Sequence, residues 1–178
     1  MLGIESYHFT DSEAKEILKN LVYLVDTREQ QNEHITSCFD KKKVKYKYKK
    51  LDSGDYSVMI PAMPNLGIVR DIYLDNCVVV ERKNSLDELS GNLAQNRQRF
   101  ENELFRTTAS VHLVVEDATW KKIFDHDYNT DMTPKAYYRS LLCLQARYGN
   151  HIHFIESRYA GFHILNILEC AVKELLKI

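Results

Sequence analysis

Three acidic residues occupy positions in this sequence that suit metal chemistry. Asp26 ends an apolar run typical of a buried strand, Asp55 follows Gly54 in a predicted turn, and Glu81 ends a second apolar run. Magnesium prefers oxygen ligands in near-octahedral geometry, and proteins usually supply one or two carboxylates beside water and substrate phosphate. These positions therefore predict a magnesium site where the strands end.

Lys83 stands two residues after Glu81 on the same predicted strand. Side chains two positions apart project from one face of a strand, whereas the intervening Arg82 projects from the other. A bound metal lowers the pKa of its water, and Lys83 can orient that water or offset charge that grows on a phosphate. The pair therefore indicates phosphodiester hydrolysis.

These residues also belong to a longer motif. Gly54-Asp55, followed by Glu81-Arg82-Lys83 and, after three further residues, Asp87, resembles the signature of the XPF-type structure-specific endonucleases. Residues 25–29, Val-Asp-Thr-Arg-Glu, resemble the strand that opens the nuclease domain in that family. The similarity continues through a strand at residues 113–116 and a helix that carries Gln95, Arg99 and Glu103.

The resemblance implies a restriction-endonuclease-like fold, in which α-helices flank a mixed central β-sheet in a single domain. It implies dependence on Mg²⁺ or Mn²⁺ and cleavage of branched, flap or fork DNA in recombination, replication or repair. It also implies that Asp55 and Glu81 are metal ligands and that Lys83 is the catalytic cation. The residues expected to support the active site are Asp26, Arg28, Arg82 and Asp87. Because family members usually work in pairs, we expect a homodimer or a heterodimer.

The chain departs from the family pattern in two ways. Residues 56–80 make a long spacing between the two halves of the signature, which we assign to an extended hairpin around residues 61–67. Cellular family members usually append helix-hairpin-helix units, and the sequence leaves no room for them before Ile178. We therefore expect a helical extension at residues 1–20 and a nuclease domain at residues 21–178, without those units.

A lysine-rich strand is the candidate DNA contact outside the motif. Lys45, Lys47 and Lys49 alternate with Val44, Tyr46 and Tyr48, which is the period of a half-exposed strand. Its lysines either contact phosphates or protect an edge strand from aggregation, and both interpretations are equally open. Arg99, on the predicted helix that resembles the family, is a further candidate DNA-binding residue.

The remaining pattern predicts a mixed α/β order. Helices are predicted at residues 10–20, 31–40, 85–108, 120–124, 133–149 and 159–177, from capping residues and helical apolar spacing. Strands are predicted at residues 21–25, 44–49, 56–60, 68–74, 77–81, 111–115 and 152–155. The fifth of these completes a meander through a turn at Asp75-Asn76.

Composition narrows the class of protein. The chain has 178 residues and a net charge of −1, which does not suit non-specific coating of nucleic acid. It contains no apolar run of about 20 residues and nothing like a signal peptide, so we expect an intracellular protein of cytoplasm or nucleoid, with no membrane partner. A viral or prokaryotic source would suit the missing accessory units. The four cysteines form no Cys-x-x-Cys pair and are expected to be free thiols.

Two alternative functions remain. One is a restriction-like nuclease that acts on ordinary duplex or single-stranded DNA. The other is a catalytically silent DNA-binding subunit of a heterodimer, although intact Asp55, Glu81 and Lys83 argue against it.

Two further motifs indicate no metal site. Residues 125–131 begin like a calcium loop but lack its glycine and closing glutamate. His151 and His153 lack a visible third metal ligand.

Overall fold

The computed structural model describes residues 8–104 and 107–177. Its helices are α1 (Asp11–Lys19), α2 (Glu33–Lys42), α3 (Leu86–Ala94), α4 (Arg97–Leu104), α5 (Trp120–Phe124), α6 (Pro134–Tyr148) and α7 (Ser157–Leu176). Its strands are β1 (Val22–Val25), β2 (Lys45–Tyr48), β3 (Tyr56–Ile60), β4 (Ile72–Tyr73), β5 (Val78–Lys83), β6 (Ser110–Glu116) and β7 (His151–Ile155). The strands form one sheet in the order β2-β1-β3-β5-β6-β7, and β4 pairs with β3.

The direction of β3 determines where the acidic residues meet. It runs antiparallel to both neighbours, with Tyr56 opposite Val25 of β1 and Val80 of β5. Its first residues therefore lie beside the last residues of β1 and β5. The topology brings Asp55, which precedes β3, to the edge where β1 and β5 end.

Helices cover both faces of the sheet and form two apolar cores. Buried side chains of α1, α2 and α7 pack on one face, where Phe39 and Ile164 are fully buried. Those of α3, α4, α5 and α6 pack on the other, where Leu89 and Leu141 are fully buried. Alternate residues of β5 enter different cores, since Val80 joins the first and Val79 the second. Glu81 and Lys83 project from the same face of β5 as Val79.

Most predicted elements are confirmed, including the capping box at Thr10 and Glu13 that starts α1. That helix buries Ala14 and Ile17 in the same core as the sheet. The part of the expected N-terminal extension at residues 1–7 lies outside the described residues. No helix within residues 8–104 and 107–177 is long and apolar enough to cross a membrane. All four cysteines are free thiols.

Two predictions of local structure were wrong. The predicted meander is absent, because β4 pairs with the far end of β3 and β5 pairs with its near end. The helical segment predicted from residue 85 breaks at Gln95 and Asn96 into α3 and α4. Asn96 precedes α4, where its carbonyl accepts a hydrogen bond from the Phe100 N–H at 2.9 Å, and asparagine is favoured at such positions. The predicted end of this segment crosses residues 105–106, which lie outside the described residues.

Candidate active site

An open cleft of about 970 Å³ lies where β5 ends, between the loop before β3 and the helices α3 and α4. Charged side chains in its wall are Arg28, Asp52, Asp55, Glu81, Lys83, Arg99 and Glu103. Amide side chains in its wall are Asn92, Gln95, Asn96, Gln98 and Asn102. The structure thus brings Arg28, Asp55, Glu81, Lys83 and Arg99 of the predicted site residues together in one cleft.

Backbone contacts on both sides hold Asp55 in place. Its N–H donates to the Val80 carbonyl at 2.8 Å, and its own carbonyl accepts from the Asp26 N–H at 2.7 Å. The carboxylate atom Oδ2 also accepts a hydrogen bond from the Arg82 N–H at 2.8 Å. Asp55 is therefore attached to β1 and β5 through main-chain groups, independently of any flexible side chain.

Gly54 permits this close approach. Its φ is +72°, a backbone conformation that residues other than glycine rarely adopt. A Cβ atom at this position would lie 2.9 Å from Val79 Cβ and 3.1 Å from the Val80 carbonyl oxygen. The glycine of the motif therefore allows the turn and brings the Asp55 backbone against β5.

The surroundings of Asp55 and Glu81 disfavour the charged form of both carboxylates. Burial, followed by the negative charges of Glu81 and Glu29, raises the pKa of Asp55 well above its usual range. Burial also raises the pKa of Glu81, although the nearby Lys83 ammonium opposes this rise. A divalent cation would stabilise both carboxylates in their ionised form, because its positive charge would compensate for the hydration that burial removes.

The fit to a metal rests on two carboxylates. Within the described part of the chain, no three His, Cys, Asp or Glu side chains converge on a point that could hold a metal ion. Magnesium is commonly bound by only one or two carboxylates, with water and substrate phosphate completing its coordination. Asp55 and Glu81 therefore fit such an ion, which substrate and water would help to hold.

Lys83 lies beside this pair as a charged donor. Its Nζ donates to Glu81 Oε1 at 2.7 Å, lies 3.3 Å from Glu88 Oε1, and stands 5.5 Å from the centre of the Phe100 ring. Burial lowers the pKa of Lys83, but Glu81 and Glu88 outweigh it and keep the pKa above its ordinary value. The side chain is therefore an ammonium ion at neutral pH, suited to stabilising charge on a phosphate.

Arg82 points to the opposite face of the sheet, as the strand period predicts. Its guanidinium donates to both carboxylate oxygens of Glu116 at 2.8 and 2.9 Å and to Glu29 Oε1 at 2.8 Å. His34 Nε2 lies 2.8 Å from Glu116 Oε1. Arg82 therefore supports the site from behind, through its backbone N–H on Asp55. Glu116 and His34 were not predicted as partners of Arg82, and only the position of Glu116 at a strand end could have indicated its role.

Asp26 lies behind the cleft and holds Arg28. Its carboxylate accepts hydrogen bonds from the Arg28 N–H, Nε and Nη2 at 2.7, 2.8 and 3.2 Å and from the Leu51 N–H at 2.6 Å. Burial raises the pKa of Asp26, but these donors outweigh it and hold the pKa below its usual value. With four donors on its two oxygens, Asp26 is placed as a support for Arg28, and the structure does not favour the predicted third metal ligand.

Asp87 and the lysines of and next to β2, Lys45, Lys47 and Lys49, lie outside the cleft. Asp87 accepts hydrogen bonds from Asn129 N and Nδ2 at 2.6 and 3.2 Å, so it attaches the loop at residues 125–131 to α3. The three lysines contact other partners: Lys45 contacts Asn20, Lys47 contacts Tyr73 and Lys49 contacts Asp75, at 3.3, 3.1 and 2.8 Å. Arg99 lines the cleft but pairs with Glu103 at 2.8 Å. DNA contact by these cations stays a prediction.

The amide side chains of the cleft were not predicted as site residues. Gln95 was predicted only to lie on the helix that resembles the family. Asparagine and glutamine carry no charge and are common on protein surfaces, so residue type alone does not separate these five from surface residues. His151 and His153 of β7 meet His112 of β6. His112 Nδ1 lies 3.1 Å from His153 Nε2, and the rings of His112 and His151 stack at 4.6 Å.

Comparison with known proteins supports this description of the fold. The model of the ERCC4 domain matches residues 25–168. The structure of XPF from Aeropyrum pernix is similar with a TM-score of 0.60 and 18% identity, over 84% of this chain and 61% of that one. The structure of XPF from Aeropyrum pernix in complex with DNA gives a TM-score of 0.62 and 19% identity, over 86% and 66%. No curated protein sequence matches.

The chain thus spans less than two thirds of the archaeal structures it resembles. The shared fold confirms the expected restriction-endonuclease-like arrangement of helices around a mixed sheet. The family match covers most of the chain, including every residue of the Gly-Asp and Glu-Arg-Lys motif. The chain belongs to the ERCC4 domain family and contains an XPF-type nuclease domain.

Proposed function

We propose that this chain is a metal-dependent endonuclease that hydrolyses phosphodiester bonds in branched, flap or fork DNA. The observation that carries the proposal is the pair of partly buried carboxylates, Asp55 and Glu81, beside the Lys83 ammonium in an open cleft. Membership of a family of DNA nucleases supports DNA as the substrate, and one similar structure is of a complex with DNA.

The charges of the cleft support a need for metal. Its wall contains three cationic side chains, Arg28, Lys83 and Arg99, and four acidic ones, Asp52, Asp55, Glu81 and Glu103. When all are ionised the acidic groups exceed the basic groups by one, so a DNA phosphate would be repelled from the carboxylates. Asp55 and Glu81 would hold Mg²⁺ or Mn²⁺, which supplies a Lewis acid and lowers the pKa of a bound water.

The chain's own groups then act on the phosphate. Lys83 offsets the negative charge that grows on the phosphate oxygens as the bond breaks. Arg28 lines the same cleft, and Asp26 fixes its guanidinium through Nε and Nη2, so little side-chain freedom is lost when it binds a phosphate. Arg82 positions Asp55 through its backbone N–H.

A cleavage assay tests this proposal. Flap, fork, four-way and linear DNA would each be incubated with the protein in Mg²⁺ and in EDTA, beside Asp55→Ala and the exposed-site control Asp127→Ala. We expect cleavage of the branched forms in Mg²⁺, loss of at least about 100-fold with Asp55→Ala, and no change with Asp127→Ala. Cleavage that survives both EDTA and Asp55→Ala would contradict the mechanism.

The same assay separates the alternatives. Binding of DNA without cleavage would indicate a non-catalytic DNA-binding subunit, and equal cleavage of linear DNA would indicate a restriction-like specificity. Sedimentation of the protein with and without DNA tests the homodimer that the family resemblance leads us to propose, and a monomer that cleaves only with an added partner would indicate a heterodimer.

A further inference from the structure

Asn92 presents an unpaired polar atom in the cleft. It lies on α3, one turn after Glu88, whose carboxylate contacts Lys83. Asn92 lines the cleft, and its carbonyl oxygen Oδ1 is buried without a hydrogen-bond partner among the residues that the structure describes. A buried acceptor that folding leaves unpaired lowers the stability of the protein. Such an atom is explained if the side chain turns about its Cβ–Cγ bond when DNA binds, so that a ligand supplies the missing donor.

The wall around Asn92 differs in chemistry from the opposite side of the cleft. Arg28, Lys83, Asp55 and Glu81 can bind a phosphate and its metal, whereas α3, α4 and the break between them contribute five amide side chains. The cation of this wall, Arg99, is paired with Glu103 at 2.8 Å. Amides have both a donor and an acceptor, as the edges of nucleobases do, while phosphate oxygens only accept.

We propose that Asn92 is a specificity-determining residue that binds the edge of a nucleobase next to the scissile phosphate. This inference rests on the proposed nuclease function. DNA carries its hydrogen-bond donors almost entirely on the bases, as amino groups and ring N–H groups, so an acceptor that awaits a donor fits a base better than the sugar-phosphate chain. The metal side of the cleft then holds the phosphate, and the amide wall reads the adjoining base.

Binding measurements with matched DNA test the proposal. A fluorescein-labelled flap DNA would be titrated in Ca²⁺, which the carboxylates can bind in place of Mg²⁺, and its anisotropy followed. The same DNA with abasic nucleotides in the single strand beside the junction provides the comparison. For Asn92→Ala we expect the Kd for the intact flap to rise about fivefold, with little change for the abasic flap. Asn166→Ala, an exposed asparagine on α7 outside the cleft, is the control and should bind both DNAs like the wild type.

Thermal unfolding provides the second measurement. Because Asn92 Oδ1 has no partner to lose among the described residues, Asn92→Ala and the similarly sized Asn92→Leu should melt at the wild-type temperature or above it. Weaker binding together with undiminished stability would separate a substrate contact from a structural role.

Three results would overturn the inference. Wild-type affinity of both Asn92 variants for the intact flap would remove Asn92 from the substrate path. An equal loss of affinity for intact and abasic flaps would assign the contact to the sugar-phosphate chain. A large drop in melting temperature would show that Asn92 has a structural partner. Failure of the wild type to bind any DNA would refute the proposed function itself, and it is seen before any variant is compared.

Discussion

At the scale of single residues, Gly54 and Asp55 are neighbours that meet different requirements of the cleft. Asp55 is buried close to other acidic groups, which raises its pKa and reduces its contribution to stability at neutral pH. Gly54 allows the backbone to reach β5, so that Val80 and Arg82 can hold Asp55 by their main-chain groups. The motif therefore combines Asp55, whose side chain is chemically active, with Gly54, which is required because it has no side chain.

Substitution of Gly54 tests this requirement. Gly54→Ala should lower the free energy of unfolding by about 1 kcal/mol through its positive φ and by about 2 kcal/mol more through contact with Val79 and the Val80 carbonyl. Gly67→Ala is a matched control, because its φ is +76° but nothing lies within 4 Å of its added Cβ. Urea denaturation measures both, and equal losses would show that the close approach at Gly54 has no energetic weight.

At the scale of secondary-structure elements, an ion-pair network joins β5, β6 and α2 behind the cleft. Arg82 of β5 makes two hydrogen bonds with Glu116 at the end of β6, and His34 of α2 contacts the same carboxylate. The Glu116 side chain is only 4% exposed, so its charge requires these partners. The network fixes the end of β5, whose other face carries Glu81 and Lys83.

Removal of one partner tests the network. Glu116→Ala leaves a buried guanidinium with fewer partners and should lower the free energy of unfolding by about 3 kcal/mol. Glu103→Ala breaks the exposed pair with Arg99, where the Glu103 side chain is 65% exposed, and should cost less than about 1 kcal/mol. Chemical denaturation of the two variants measures the difference. Similar small losses for the two variants would mean that Glu29 alone can balance the charge of the Arg82 guanidinium.

At the scale of the whole molecule, a cluster of histidines links β6, β7 and α7 away from the cleft. His112, His151, His153 and His163 have ring contacts with centroid distances of 4.6 to 5.3 Å. Burial, together with the charge that neighbouring imidazoles would carry, lowers the pKa of His112 and of His153 to about 4. The folded protein therefore keeps both rings neutral in mild acid.

The pH dependence of stability follows from these shifts. An unfolded histidine takes up a proton near pH 6.5, whereas the folded rings do so only near a pKa of about 4. Between these values the unfolded chain binds more protons, so the free energy of unfolding falls as pH falls from about 6.5 toward 4. This part of the stability is fully present above pH 6.5.

His153→Gln should reduce this dependence, because one of the three histidines whose pKa is lowered in the folded protein, with His112 and His163, is removed. Melting temperatures at pH 7 and pH 5 would be compared among the wild type, His153→Gln and the exposed control His8→Gln. Asp55 and Glu81 shift in the opposite sense, so the relevant quantity is the difference in slope between variants. An unchanged slope for His153→Gln would show that the cluster does not govern acid stability.

The sequence by itself determined the family, the order of elements and the half of the site that depends on local geometry. Glu81 and Lys83 share a face because they stand two apart on a strand, and their contact at 2.7 Å confirms it. The strand period also placed Arg82 on the other face. Most helices and strands follow from apolar spacing and capping residues, which act within one or two turns of the chain.

Only the tertiary structure decided which charged residues face the cleft. Asp26 and Asp87 stand at motif positions as Asp55 does, but their oxygens are taken by Arg28, Leu51 and Asn129. The lysines of β2 lie beside Tyr73 and Asp75 rather than in the cleft. The amide wall arises where α3 and α4 break apart at Asn96. These outcomes depend on strand register and on competition for partners distant in the chain, which no local pattern of residues encodes.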